Sequence, residues 1–191
     1  MRLGIFGGTF NPIHLGHLVL AEAAREVCWL DQVWFMPTAT PPHKTIRGLI
    51  EGRHRLAMVR LAVRGHPAFH ASDLELRRGG TSYTIDTMHA IRRRYPRAKL
   101  FVIVGSDMVG IRWYRMRELQ RLCTFVVAQR PSAPRRPVML TGATRISMPA
   151  LEISSSAIRD RVRRGQSVRY LVPEAVRRYL LRHRLYPHAR K

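Results

Sequence analysis

The sequence predicts an α/β fold: an open parallel sheet with helices on both faces and a helical segment at the C-terminal end. Three observations carry that prediction. Short apolar runs alternate with amphipathic stretches through most of the 191 residues, the arrangement that gives parallel strands joined by crossover helices. One run, Leu100 to Val104, is apolar at every position, as a parallel strand covered on both faces is. The first apolar run, Leu3 to Phe6, passes through Gly7 and Gly8 and on into a helix.

That opening stretch reads LGIFGGTFNPIHLGHL. Leu3 to Phe6 is the first strand. Gly7 and Gly8 form a turn whose N–H groups can lie close to a ligand, because no Cβ intervenes. Asn11 and Pro12 continue the turn. The helix runs from Leu18 to Val27, with Leu20, Ala24 and Val27 on one face and Glu22, Arg25 and Glu26 on the other. His14 and His17 share a face of a first helical turn. Unpaired N–H groups and the positive dipole end at a helix start favour an anion. Imidazolium there adds charge against phosphate oxygens.

Val33 to Met36 is a second buried strand, closed by Pro37. The loop PTATPPHKTIRGL follows, extended by Pro41 and Pro42 and carrying His43, Lys44 and Arg47. It sits at the C-terminal edge of the sheet, where open α/β sheets take ligands. Arg53 to Arg64 is a helix with Leu56, Val59 and Val63 along one face. Phe69 to Leu76 has the loose alternation of a strand, and Gly79–Gly80 a turn. TSYTID then opens a helix bearing Ile85, Met88 and Ile91, with Ser82 or Thr84 as its cap and Asp86 in its first turn.

The strand Leu100 to Val104 ends in Gly105-Ser106-Asp107. A carboxylate just past a strand end can accept from a ribose hydroxyl or cap a helix. Trp113 and Tyr114 offer either core packing or a plate for a flat ring. Phe125 to Ala128 is a strand broken by Arg130-Pro131, and Arg145 to Met148 is the last strand. ISSSAIR then opens a helix that stops near Gly165. Three serines exceed what one cap needs, so hydroxyls and a second helix N-terminus are available to an anion, with Arg159 one turn inside. Pro173 begins the last helix, with Val176, Tyr179 and Leu180 facing inward. His183 and the terminal HARK are expected in solvent.

The length suits one domain, residues 1–191. Hydrophobic residues make up 46% and charged residues 24%, which excludes a disordered chain. No membrane-spanning run and no signal-peptide pattern occur, so a cytoplasmic protein is expected. Cys28 and Cys123 lack metal-ligand spacing and read as packed thiols. The net charge is +22, from 34 basic and 12 acidic residues. It favours polyanions, nucleotides or nucleic acid. The arginines are scattered over nearly every segment rather than gathered in a stripe, so a basic nucleic-acid-binding protein ranks as the rival of another class. Oligomeric state is left open, a homo-oligomer included.

Taken in order, GGTFNPIHLGHL, PPHK, SYT, VGSD, WY and ISSSAIR resemble the motifs of bacterial nicotinate-nucleotide adenylyltransferases, in the H-x-G-H nucleotidyltransferase superfamily. The first and last are superfamily motifs; PPHK, SYT and WY point to this branch. The resemblance implies a Rossmann-like fold and the joining of nicotinate mononucleotide to ATP in NAD biosynthesis, with Mg2+, pyrophosphate leaving. His14 and His17 would bind ATP phosphates and stabilise the transition state. Gly7, Gly8, Thr9 and Phe10 would face ATP. Gly105 and Asp107 would lie against its ribose, and Ser155, Ser156 and Arg159 would hold its β and γ phosphates. Lys44 would contact phosphates on the substrate side. The Ser82-Tyr83-Thr84 segment and Tyr114 would read the nicotinate carboxylate, through the backbone N–H groups of Thr84 and Tyr114, with Trp113 stacked on the pyridine ring. No side chain is expected to ligate a metal. Asn11 stands where many relatives have Asp, and Ser156 where many have Thr. The nearest alternative is a sister adenylyltransferase acting on nicotinamide mononucleotide or phosphopantetheine, which SYT and WY disfavour.

Overall fold

The structure is a computed structural model that describes residues 1–41, 48–105, 108, 111–129, 140, 142–149 and 151–187. In chain order the elements are β1 (Arg2–Gly8), α1 (Leu15–Val27), β2 (Gln32–Pro37), α2 (Gly52–Val63), β3 (Phe69–Ala71), α3 (Leu74–Arg78), α4 (Thr84–Arg94), β4 (Lys99–Gly105), α5 (Met116–Leu122), β5 (Cys123–Gln129), β6 (Thr144–Ser147), α6 (Ser155–Arg163) and α7 (Glu174–Arg182). One six-stranded sheet has the order β3-β2-β1-β4-β5-β6, and every pairing in it is parallel. The α/β expectation holds.

The apolar runs show why. In β4, Phe101 and Ile103 point into one core with Leu20, Ala24, Met58 and Val176. Leu100, Val102 and Val104 point into the other with Ile85, Met88, Ile91 and Leu119. A strand alternates its side chains, so a run apolar at every position needs a helical layer on each face. Each such side chain taken fully out of water contributes about 1.5–3 kcal/mol.

The chain builds outward from β1 through β2 to β3, returns beside β1 as β4, and builds the other way. The β1–β4 ladder runs from Arg2↔Lys99 to Ile5↔Val102. Past that point β1 stays on β2 through Gly8↔Pro37, and β4 stays on β5 through Gly105↔Ala128. The two central strands therefore part over their last three residues. Open α/β sheets bind ligands at such a switch point.

Several expectations need correction. Gly7 and Gly8 belong to β1, because β2 continues to pair with them; the turn is residues 9–14. Helix α1 begins at Leu15, with His14 as its N-cap. Val27 is 53% exposed, and the buried face is Gly16, Leu20, Ala21 and Ala24. The strand expected at Phe69 to Leu76 stops at Ala71; the Ser72 amide still bonds Phe35 O at 2.9 Å, and α3 then turns Glu75 inward while Leu74 and Leu76 stay half-buried. Neither Ser82 nor Thr84 caps α4: Tyr83 occupies the cap. After α7, Leu185 and Tyr186 fold back into the core, whereas His183 is exposed as expected, its ring tilted against that of Tyr179 at 4.2 Å. The HARK tail and the loop cations His43, Lys44 and Arg47 lie outside the described residues.

Candidate active site

A cavity of about 400 Å³ opens where β1 and β4 part, a size usual for ligand pockets. Its wall includes the ends of both strands, the 9–14 loop, the starts of α1, α4 and α6, and residues 111–114.

The 9–14 loop is packed from behind. Phe10 adopts φ +47, and its buried ring meets Phe6 edge-on at 5.5 Å and His17 at 5.1 Å. A Cβ on Gly8 would come 3.0 Å from that ring, so glycine leaves the room Phe10 occupies. At Gly7 a Cβ would meet no protein atom within 4 Å; Gly7 bares its backbone to the cavity instead.

The His14 backbone N–H donates to His17 Nδ1 at 3.2 Å. That bond places the proton of neutral His17 on Nε2. The rings stack with centroids 3.6 Å apart, so the expected shared face is real. A Cβ on Gly16 would lie 3.2 Å from His14 Nδ1, which explains the glycine between the histidines. Not every first-turn amide of α1 faces the cavity, however: the Leu15 N–H donates to Leu171 O at 3.0 Å.

Asn11, 2% exposed, joins four segments. Its Nδ2 donates to Gly48 O at 3.0 Å. Its Oδ1 accepts from the Tyr186 hydroxyl at 2.7 Å and from the Ile50 N–H at 3.4 Å. Its backbone oxygen accepts from Arg159 Nη1 at 2.9 Å. Arg55, also 2% exposed, donates to Thr9 O at 2.9 Å, to Ile50 O at 3.1 Å and to Ala39 O at 3.5 Å. Burial lowers its pKa from the ordinary value, and Tyr186 opposes that. Burial likewise raises the Tyr186 hydroxyl well above its usual value, against the pull of Arg159 and Arg55.

At the start of α6, Ser154 is the cap and accepts from the Ala157 N–H at 3.1 Å. The Ser155 hydroxyl donates to Pro12 O at 2.8 Å. Ser156 Oγ accepts from Arg159 Nη2 at 3.1 Å. The serine run thus serves a cap, a tether to the 9–14 loop and a hold on Arg159.

On the opposite wall, Ser82 Oγ accepts from the Ala39 N–H at 2.9 Å and ties the end of β2 to the start of α4. The Tyr83 and Tyr114 rings lie 4.8 Å apart. Trp113 packs against Phe125 at 5.2 Å and also lines the cavity, so it is half core and half wall. Thr84 stands at the first position of α4, where a helix leaves its N–H unpaired. Glu75 Oε1 accepts from the Thr87 hydroxyl at 2.7 Å. Burial raises the Glu75 pKa, while Thr87, Ser82 and Arg78 pull it down. It is the acidic side chain of the wall among the described residues, facing a lining that holds His14, His17 and Arg159.

Gly7, Gly8, Thr9, Phe10, His14, His17, Ser82, Tyr83, Thr84, Gly105, Trp113, Tyr114, Ser155, Ser156 and Arg159 all line this one cavity. Lys44 and Asp107 lie outside the described residues. The sequence reading missed Arg55, Glu75, Thr87 and Tyr186. Arg55 hid among the many arginines, and Glu75 sat in a segment with a strand-like pattern. Among the described residues no group of three or more His, Cys, Asp or Glu could hold a metal, and no helix is long and apolar enough to cross a membrane. The thiols stay out of this chemistry: both are buried, and burial pushes Cys123 up to about 12.

The profile of the Cytidylyltransferase-like family matches residues 5–161. A protein of Citrifermentans bemidjiense named probable nicotinate-nucleotide adenylyltransferase is 44% identical, over 100% of both chains. One of the same name from Bacillus pumilus is 40% identical over 97% of this chain and 98% of its own. The fold matches Plasmodium falciparum nicotinic acid mononucleotide adenylyltransferase complexed with NaAD, with TM-score 0.82 and 20% identity over 98% of each chain. With its switch-point cavity and its H-x-G-H helix start, the chain belongs to the cytidylyltransferase-like family, in the branch of the nicotinate-nucleotide adenylyltransferases.

Proposed function

We propose that the chain transfers the adenylyl group of ATP to nicotinate mononucleotide, giving nicotinate adenine dinucleotide and pyrophosphate in NAD biosynthesis. One observation carries the reading: the histidine pair with Arg159 and the α6 serines shares a single cavity with the start of α4, Trp113 and Tyr114. A phosphate-handling wall thus stands across from a wall with a helix N-terminus and aromatic rings.

The chemistry needs no protein nucleophile. The ionised 5′-phosphate of the mononucleotide attacks the α-phosphorus of ATP, a P–O bond forms, and the bond to the β-phosphate oxygen breaks in line. The protein supplies position and charge. His17, its Nδ1 engaged by the His14 N–H, presents Nε2–H to oxygens that gain charge; His14 stacks behind it. Gly7, Gly8, Thr9, Phe10, Gly105 and Asp107 lie along the ATP. Ser155, Ser156, Arg159 and the start of α6 take its tail. The N–H groups of Thr84 and Tyr114 read the nicotinate carboxylate, Ser82 and Tyr83 hold that segment in place, Trp113 covers the ring, and Lys44 contacts phosphate.

Mg2+ would arrive with ATP, held on phosphate oxygens and water. Among the described residues no group of three or more His, Cys, Asp or Glu forms a cage for it. A single domain over residues 1–191 acting in the cytoplasm completes the proposal.

The test is pyrophosphate release from ATP with a panel of mononucleotides. Nicotinate mononucleotide is expected to react well ahead of its nicotinamide counterpart, and equal rates would contradict the assignment. His17→Ala should lose on the order of 10²–10³ in turnover if it acts as one electrostatic donor. Near-normal turnover would remove His17 from the mechanism.

A further inference from the structure

The C-terminal end of the described chain turns away from solvent at a point where nothing in its local sequence requires it. Arg184 has φ +46 and Tyr186 φ +59, left-handed values that residues with a Cβ keep only where the surroundings enforce them. The turn buries Tyr186 to 3% exposure. Its hydroxyl reaches Asn11 Oδ1 at 2.7 Å, across 175 residues of sequence.

Asn11 precedes His14 by three positions and lies inside the loop that ends in the α1 cap. Its side chain and carbonyl also hold Gly48, Ile50 and the guanidinium of Arg159, and the next carbonyl, Pro12 O, accepts from Ser155. Arg55 approaches the same loop through Thr9 O. The Tyr186 hydroxyl is the contribution of the C-terminal segment to this cluster. It stands beside Arg55 and Arg159 and is held protonated by its burial. Gly48 O can only accept and the Ile50 N–H can only donate, which fixes Asn11 with Nδ2 toward Gly48 and Oδ1 toward Ile50; the Tyr186 hydroxyl then donates to that same Oδ1. A buried amide held from every side in one orientation sets the path of the backbone that leads to the histidine pair.

We propose that Tyr186 is a positioning residue of the active site: through its hydrogen bond to Asn11, the C-terminal segment sets the geometry of His14, His17 and Arg159. This rests on the adenylyl-transfer reading.

Tyr186→Phe keeps the ring and its packing and removes only the donor. The wild type, Tyr186→Phe, Asn11→Ala and the double variant are compared for kcat, for KM of both substrates, for Tm, and for the imidazole ¹⁵N resonances of His14 and His17. Tyr186→Phe is expected to lose about three- to tenfold in kcat, the worth of one buried hydrogen bond carried into the transition state. KM for nicotinate mononucleotide stays within about twofold, and the histidine resonances shift. In the Asn11→Ala background the same change costs little more, because both act through one contact. An unchanged kcat with unchanged resonances overturns the proposal. So does a loss that multiplies with that of Asn11→Ala, or one that appears only in Tm and KM. An inactive wild type would instead sink the functional reading, and the resonances would still test the positioning role.

Discussion

Gly16 separates what stabilises α1 from what makes it useful. Alanine is worth up to about 1 kcal/mol over glycine in a helix interior, and Gly16, the second residue of α1, stands to gain part of that. A Cβ there would sit 3.2 Å from the His14 ring, tighter than that ring can accept without shifting by a few tenths of an ångström. Gly16→Ala is therefore expected to leave Tm unchanged or slightly raised and to lower kcat; a fully active variant would show that the stacked geometry is immaterial. Glu75 offers a test at the same scale through pH. Its carboxyl is raised above the ordinary 4.5 in the folded state. The folded protein therefore holds that proton more tightly than the unfolded chain, and its stabilising effect is lost as pH rises above about 4.5. Glu75→Gln keeps an acceptor for Thr87 and removes the titration. The Tm difference between variant and wild type should become more favourable to the variant from pH 4.5 to 7.5, and a difference constant with pH would show that Glu75 does not titrate differently on folding. The site residues legible in the sequence were those in motifs, where residue type and spacing state the chemistry. Arg55, Tyr186 and Glu75 were not, because their roles depend on which backbone or side-chain groups the tertiary fold brings to them.

At the level of elements, strands of the central sheet were legible because burial on both faces leaves an unbroken apolar run. The edge was not: β3 is three residues long, and an alternating pattern over eight residues fits a short strand plus a helical turn as well as one strand. Where the cap is an unusual residue the sequence misleads: it places the start of α1, capped by His14, too late, and it offers Ser82 or Thr84 as the cap of α4 in place of Tyr83, although that helix does open within TSYTID. The junctions between elements depend on Arg55. Its guanidinium reaches from α2 to the end of β2, to the 9–14 loop and to Ile50, and burial leaves those carbonyls few alternatives. Arg55→Met should lose about 2–4 kcal/mol of unfolding free energy, the cost of leaving buried acceptors unpaired. Arg55→Lys should recover little of it, because one ammonium cannot reproduce a planar fork of donors. Urea unfolding measures both, and a Lys variant as stable as wild type would reduce Arg55 to a simple cation.

For the whole molecule the deciding quantity is charge. Even if all 12 acidic residues paired with a base, 22 of the 34 basic residues would have no acidic partner. Among the described residues the ion pairs include fully exposed ones, such as Arg53–Glu51 and Arg178–Glu174, and exposed pairs contribute little. Repulsion among the remaining arginines opposes the compact state, and salt screens it over a Debye length of about 10 Å at 0.1 M. Two opposite trends follow from the one cause. Added NaCl should raise Tm, since it weakens more repulsion than attraction. It should also lower kcat/KM for ATP while changing kcat less, since the same field draws a polyanion toward the cavity. Thermal melts and initial rates from about 0.05 to 0.5 M NaCl, at matched pH, test both over the range where screening changes most. A Tm that falls with salt would mean that attraction between opposite charges outweighs repulsion among the excess basic residues. A kcat/KM for ATP that does not change with salt would mean that the charge of the whole surface plays no part in capturing the substrate, leaving the task to His14, His17 and Arg159 in the cavity wall.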